Sequence, residues 1–183
     1  TSWPLSIRRT LGKVYHFGGL HSGGAVVGTI WFAIFCGSLI YSYQNQLANI
    51  SFATVLCTIS LLLLLLFIIV MAMPWMRSLH HNAFEMTHRF GGWLALVLFW
   101  AQSVLFIQDQ QQSLAYAPSF WLLILITVSI ALPWLRLRKV KVDIERPSSH
   151  VAHSRFNYGV KPFAGSSTAI SRSPLLEWHS FAN

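Results

Sequence analysis

The sequence predicts an all-α membrane protein, in which a module of four transmembrane helices, built as two similar hairpins, precedes a short β-prone cytoplasmic tail. Hydrophobic residues make up 54% of the 183 residues and charged residues only 10%, whereas soluble domains carry about 25% charged residues. Four apolar runs are long enough to cross about 30 Å of hydrocarbon. All thirteen Lys and Arg residues fall on one side of a four-span arrangement.

The membrane domain is predicted over 22–136, after an interfacial N-terminal segment over 1–21. Helices are the expected spanning form, because a helix satisfies its own backbone hydrogen bonds in lipid. The runs are also too long and too evenly apolar for the strands of a membrane barrel. The four spans are expected at about 22–43, 50–73, 90–108 and 118–134.

A short internal repeat supports two similar hairpins. The second span ends in "MAMPWMR" and the fourth in "IALPWLR", while "HFGG" precedes the first span and "HRFGG" precedes the third. Proline ends the helix, tryptophan suits the headgroup level, and arginine favours the cytoplasmic side. The glycine pairs allow helices to approach closely.

The distribution of positive charge predicts the orientation. The loops "QNQLAN" and "DQQQSLAYA" contain no Lys or Arg, whereas the other connection and both flanks contain all of them. The positive-inside rule therefore predicts a multi-pass protein with both termini in the cytoplasm. The lipid bilayer is the expected partner, with anionic headgroups matching the net charge of +8. Nucleic-acid binding is not expected, because no basic stretch carries interleaved aromatic residues.

The stretch "LHHNAFEMTHRFGGW" gathers histidines at the edge of a span, and all eight histidines lie on the predicted cytoplasmic side. His21 and His88 form the best-matched pair, because each stands at the threshold of its span. Two neutral imidazoles on facing helices are what axial haem ligation requires. At most one haem b is expected, and the second-choice ligands are His16, His80 and His81.

Alternatives remain open for these polar residues. "HHN" suits an ordinary polar turn in a short loop without a cofactor, and Glu85 suits either a histidine N–H or a pair with Arg89. Zinc is less favoured because no cysteine joins the cluster, so no metal beyond haem iron is predicted. A second haem would need ligands about fourteen residues further along, roughly 20 Å, where Phe35 and Gln102 stand.

The tail over 137–183 changes character. "RLRKVKVDIE" alternates basic and β-branched residues, as expected of a strand leaving the membrane. About 45 residues are few for an independent β domain with its own core. The tail is therefore predicted to be the start of a truncated domain, and the chain to belong to a longer protein.

Three motifs, "YHFGGLHSGGAVVGTIWF", "HHNAFEMTHRFGGW" and "LLEWHSFA", together resemble TmpA-type fungal integral membrane flavoproteins, relatives of ferric reductases and NADPH oxidases. Similar membrane modules occur joined to fungal adenylate-forming, peptide-synthetase-like enzymes. The resemblance implies a ferredoxin-reductase-like FAD-binding domain, of which 137–183 would be the start, and an NAD(P)H-binding domain in the full-length protein. By this match, the FAD candidates are His179, Ser180 and Phe181.

Two departures from the family pattern concern the flavin segment, since Ser180 replaces a proline and Ala182 replaces the expected hydroxyl residue. The interpretation is a membrane module of a flavin-dependent, ferric-reductase-like oxidoreductase, which is not expected to be catalytic or to bind FAD as this fragment. The alternative is a non-catalytic membrane anchor or signalling module that has lost the transmembrane haem path. The electron acceptor and the catalytic residues are not predicted.

Overall fold

The computed structural model describes residues 4–7, 18–159 and 167–182, and helices dominate the first two-thirds of the chain. Within these residues, four helices are long and apolar enough to cross a membrane, and the tail forms short strands, so the predicted fold class is confirmed. The helices are α1 Gly18–Gln44, α2 Phe52–Ala72, α3 Pro74–Leu79, α4 His81–Asp109 and α5 Pro118–Leu135, with a 3-10 turn Leu114–Tyr116 before α5.

Local sequence signals set the ends of α2 and α3. Ser51 caps α2, and its side chain accepts a hydrogen bond from the Thr54 backbone N–H, which satisfies one of the first unpaired donors of the helix. Met73 has φ −59° and ψ 142°, because a residue before proline is driven out of the helical region. Pro74 then occupies the first turn of α3, where its missing N–H costs nothing.

The third membrane helix is longer than the apolar run that predicts it. Helix α4 begins at His81, whereas the span was expected from about residue 90. Hydropathy marks only the part of a helix that suits hydrocarbon, and the backbone continues as a helix through "HNAFEMTHR". The polar stretch is therefore helical rather than a loop between two spans.

Helix α2 packs against both α1 and α4. Its fully buried side chains are Thr54, Thr58 and Leu61, and the Thr58 hydroxyl donates to the Thr54 carbonyl at 2.7 Å. Large apolar side chains on the helices point outward instead, as at Leu63 and Leu125, each 62% exposed. Buried hydroxyls and exposed leucines suit a bundle surrounded by lipid.

The described part of the tail contains two short antiparallel hairpins. Strand β1 Val142–Glu145 pairs with β2 His153–Phe156, and β3 Ser167–Ile170 pairs with β4 His179–Ala182. The described chain divides into two compact units between Thr127 and Val128. The tail therefore has the predicted β character, while its membership of a flavin-binding domain stays a prediction.

Candidate functional site

The structure brings the two preferred histidines together. The ring centres of His21 on α1 and His88 on α4 lie 5.8 Å apart, with an interplanar angle of 78°. Both residues remain exposed in the isolated chain. Two imidazoles from different helices therefore meet at one depth of the bundle and stay accessible to a further group.

A stack of side chains leads from the surface to this pair. The Phe84 ring lies 5.4 Å from the His88 ring at an interplanar angle of 34°. The Arg77 guanidinium lies 5.0 Å from the centre of the Phe84 ring, within range of a cation–π contact. Helix α3 supplies the arginine and the first turns of α4 supply the phenylalanine, so both elements orient His88.

Glycines lie on the same helix faces as the two histidines. Gly24 and Gly28 follow His21 by one and two turns, and Gly92 follows His88 by one turn, which places each on the face of its histidine. A Cβ added to any of these three glycines would meet no atom within 4 Å. Open space therefore adjoins the histidine pair on both helices.

Other glycines lie on different helix faces from the two histidines. Gly19, Gly23 and Gly37 are equally open, but the helical period puts them on the opposite side of α1 from His21. Gly91 is different again, because a Cβ there would lie 3.1 Å from Ile68 on α2. Gly91 thus serves the close packing of α2 and α4.

Phenylalanine rings occupy the bundle beyond the glycines. Phe32 on α1 contacts Phe99 on α4 with ring centres 5.6 Å apart, and Phe35 contacts Phe106 at the same distance. Gln102, the other residue considered for a second ligand pair, is buried. The positions where a second haem would need histidines thus hold the ring of Phe35 and the amide of Gln102.

The second-choice histidines are placed differently from the pair. His80 stands at the N-cap of α4 without a side-chain cap bond. His81 pairs with Glu85, with 3.2 Å between its Nε2 and the Oε1 of the carboxylate, and His16 lies outside the described residues. Within the described part of the chain, no group of three His, Cys, Asp or Glu side chains is suited to a metal ion.

The three flavin candidates share strand β4. His179 pairs in register with Ile170, Ser180 with Ala169, and Phe181 with Thr168. His179 also lies 3.6 Å from a Glu177 oxygen through its Nε2. Phe181 is 55% exposed, so its ring is accessible for contact with another group.

Sequence reasoning missed the glycine faces and a polar cluster at the opposite end of the bundle. The glycines were detectable from their i+3, i+4 and i+7 spacing from the histidines. In the cluster, Asp109 accepts hydrogen bonds from the Ser51 backbone N–H at 2.8 Å and from the Thr54 hydroxyl. The Asn49 side chain donates to the Asp109 carbonyl at 3.1 Å, and this cluster fastens the loop before α2 to the end of α4.

Two curated proteins of the fungus Coprinopsis cinerea are similar to the chain along its whole length. Adenylate-forming reductase 03009 is 42% identical over 189 aligned residues, and adenylate-forming reductase 06235 is 41% identical over 189. The chain spans only 18% of the length of either relative. No family model matches the chain, and no solved structure matches it. The relatives of this chain are thus fungal adenylate-forming reductases, which confirms the expected association with adenylate-forming enzymes.

Proposed function

We propose that the chain is the membrane module of a larger oxidoreductase and holds one haem b between His21 and His88. The observation that carries this proposal is the 5.8 Å separation of the two rings beside glycine faces with open space. In the intact protein, electrons would pass from NAD(P)H to FAD and then to this site.

The residues present fit a metal-centred group held by two imidazoles. A histidine nitrogen lies about 2 Å from the metal that it binds, and the ring centres of His21 and His88 are 5.8 Å apart, so both rings are within reach of one iron. Gly24, Gly28 and Gly92 leave space next to the rings on both helices, where larger side chains would exclude a macrocycle.

Each surrounding residue has a definite task in this proposal. His21 and His88 would ligate through neutral nitrogens, because only a deprotonated ring nitrogen donates to a metal. Phe84 fixes the orientation of the His88 ring, and Arg77 adds a positive charge near the site. The haem would supply one-electron transfer. The Phe32–Phe99 contact supports a limit of one haem per chain.

The flavin part of the proposal rests on the resemblance of the tail. His179, Ser180 and Phe181 would lie near FAD, and the accessible Phe181 ring suits contact with a planar group. The names of the relatives combine adenylate formation with reduction. We extend this to the proposal that the intact protein joins adenylate-forming chemistry to a membrane redox module.

A second candidate function comes from the outer half of the bundle. Edge-to-face phenylalanine pairs join α1 and α4 there, so no ligand pair continues a haem path across the membrane within the described helices. This arrangement favours a non-catalytic anchor or signalling module that keeps the fold of a redox protein. Haem content of the purified protein separates the two functions.

The test is the absorption spectrum of the chain purified in detergent. We expect a low-spin Soret band with one haem per chain, and we expect His21→Ala and His88→Ala to abolish it, because the iron then keeps one strong axial ligand. His150→Ala in the tail is the control and should leave the spectrum unchanged. If the His80→Ala or His81→Ala variant loses the band while the His21→Ala and His88→Ala variants keep it, the haem is held by other histidines than the proposed pair. If the purified wild-type protein contains no haem, the result favours the second function, a non-catalytic anchor or signalling module.

A further inference from the structure

We propose that residues 136–141, named here the basic run, bind the phosphates of anionic lipids at the membrane surface. These six residues contain four cations, Arg136, Arg138, Lys139 and Lys141. The proposal concerns a different surface from the histidine site, and it does not depend on whether haem is bound.

The basic run begins where a membrane helix ends. Helix α5 finishes at Leu135 and has the length and composition to cross a bilayer. A non-helical chain advances by at most about 3.3 Å per residue, and the Debye length is about 8 Å at physiological ionic strength. The first cations of the run are therefore held within electrostatic range of the lipid headgroups.

The cations of the basic run are accessible. All four are exposed, and neither Lys139 nor Lys141 forms a hydrogen bond or ion pair with the described residues. Of the acidic residues that follow along the chain, Asp143 is exposed and forms no ion pair with the described residues, and Glu145 pairs with Arg155 at 3.1 Å. The lysine ammonium groups are thus free to meet external phosphates.

Apolar side chains accompany the charges. Leu135 is 80% exposed and Leu137 is 41% exposed, and Leu137 stands between Arg136 and Arg138 in the sequence. A membrane interface accepts apolar side chains beside headgroup charges, and Leu135 is the last residue of a helix apolar enough to cross that membrane. This combination favours a lipid surface over an acidic polypeptide as the occupant.

Tyr158 holds the start of the basic run in place. Its hydroxyl donates to the Arg136 carbonyl at 2.9 Å, and the Arg138 guanidinium lies 5.6 Å from the centre of its ring. Arg138 also donates to the Tyr158 carbonyl at 3.5 Å. Gly159 follows with φ +74°, a conformation that glycine adopts without strain. Ordering the run in advance lowers the entropy cost of binding.

The test uses the whole chain reconstituted in bilayers with spin-labelled phosphatidylserine or phosphatidylcholine. Electron paramagnetic resonance then gives the association of each lipid with the protein. We expect a preference for phosphatidylserine that Lys139→Gln with Lys141→Gln lowers by up to about fivefold per charge. The preference should also shrink in 1 M salt, where the Debye length is about 3 Å.

A matched double variant, Arg146→Gln with Arg172→Gln, removes two exposed tail cations outside the basic run and should keep the preference. Tyr158→Ala keeps every charge and should weaken the preference for phosphatidylserine, because the basic run is then no longer held in place. Circular dichroism checks that each variant is folded. Equal association of both lipids with the wild-type protein would overturn the proposal. An unchanged preference in the Lys139 and Lys141 variant, or an equal loss in the matched variant, would overturn it as well.

Discussion

His21 on the first membrane helix and His88 on the third meet with their rings nearly perpendicular, at 78°. Helix α2 makes this contact possible, because α1 and α4 both pack against it. The pair therefore depends on the packing of three helices, and changes around it report on the proposed site without touching the ligands.

Filling the open space beside the pair should exclude haem. Gly24→Leu and Gly92→Leu each place a bulky side chain on a face that carries a histidine, and we expect haem content to fall at least about tenfold, since even one misplaced methylene is felt in a fitted site. The measurement is the haem-to-protein ratio after purification. Gly23→Leu, on the opposite side of α1, is the control. An equal loss in the control would assign the effect to helix packing in general.

The topology predicts which loops share a side of the membrane. Leu47→Cys and Tyr116→Cys lie in the two loops without basic residues and are exposed, so a membrane-impermeant thiol reagent should label them from the non-cytoplasmic side. Ser78→Cys on α3 should be labelled only from the cytoplasmic side. Gln46 and Gln111 are less suitable positions, because both have positive φ. Labelling of all three cysteines from one side would refute the four-span arrangement.

The Asp109 cluster should stabilise the bundle. Asp109→Ala leaves the Ser51 N–H and the Thr54 hydroxyl without their acceptor, and the loss of a partner costs about 1–3 kcal/mol where the groups are shielded from water. Thermal unfolding in detergent should show a lower midpoint. Asp143→Ala, on the exposed strand β1, is the matched control and should change stability by less than about 0.5 kcal/mol. Equal effects in both variants would show that the cluster adds nothing.

The aromatic contacts between α1 and α4 should be coupled in energy. A double-mutant cycle with Phe32→Leu and Phe99→Leu isolates their interaction, and edge-to-face rings at 5.6 Å should give about 0.5–1.5 kcal/mol. A cycle pairing Phe32→Leu with Phe181→Leu, on strand β4, should give no coupling. The unfolding free energy of the four variants in each cycle is the measurement. A zero coupling for Phe32 and Phe99 would contradict the contact between these two rings.

The sequence predicts the membrane helices well because hydrocarbon thickness imposes a minimum length on each apolar run. It also places His21 and His88 at one depth, because both stand at the threshold of their spans, and the two rings do lie together. Their role as haem ligands stays a prediction. The start of α4 at His81 could not be found in this way, since hydropathy does not distinguish a polar helical turn from a polar loop. The short helix α3 was missed for the same reason.

The contact partners of individual side chains were harder to predict than the depth of a residue in the membrane. Glu85 lies against His81, one turn before it, whereas the sequence favoured Arg89, one turn after it, over a histidine. The bonds from Ser51 and Thr54 to Asp109 join residues of different helices. Such contacts depend on which helix faces meet, and a hydropathy pattern in nearly uniform apolar runs does not define those faces.

The Asp109 cluster also bears on the order of assembly. At that end, hydrogen bonds of Asn49, Ser51 and Thr54 join the loop before α2 to the end of α4, and the rings of Phe35 and Phe106 contact one another between α1 and α4. At the histidine end, the faces of α1 and α4 are lined by glycine and remain open. A haem bound as proposed at the histidine end would therefore enter an already packed bundle without breaking the hydrogen bonds around Asp109.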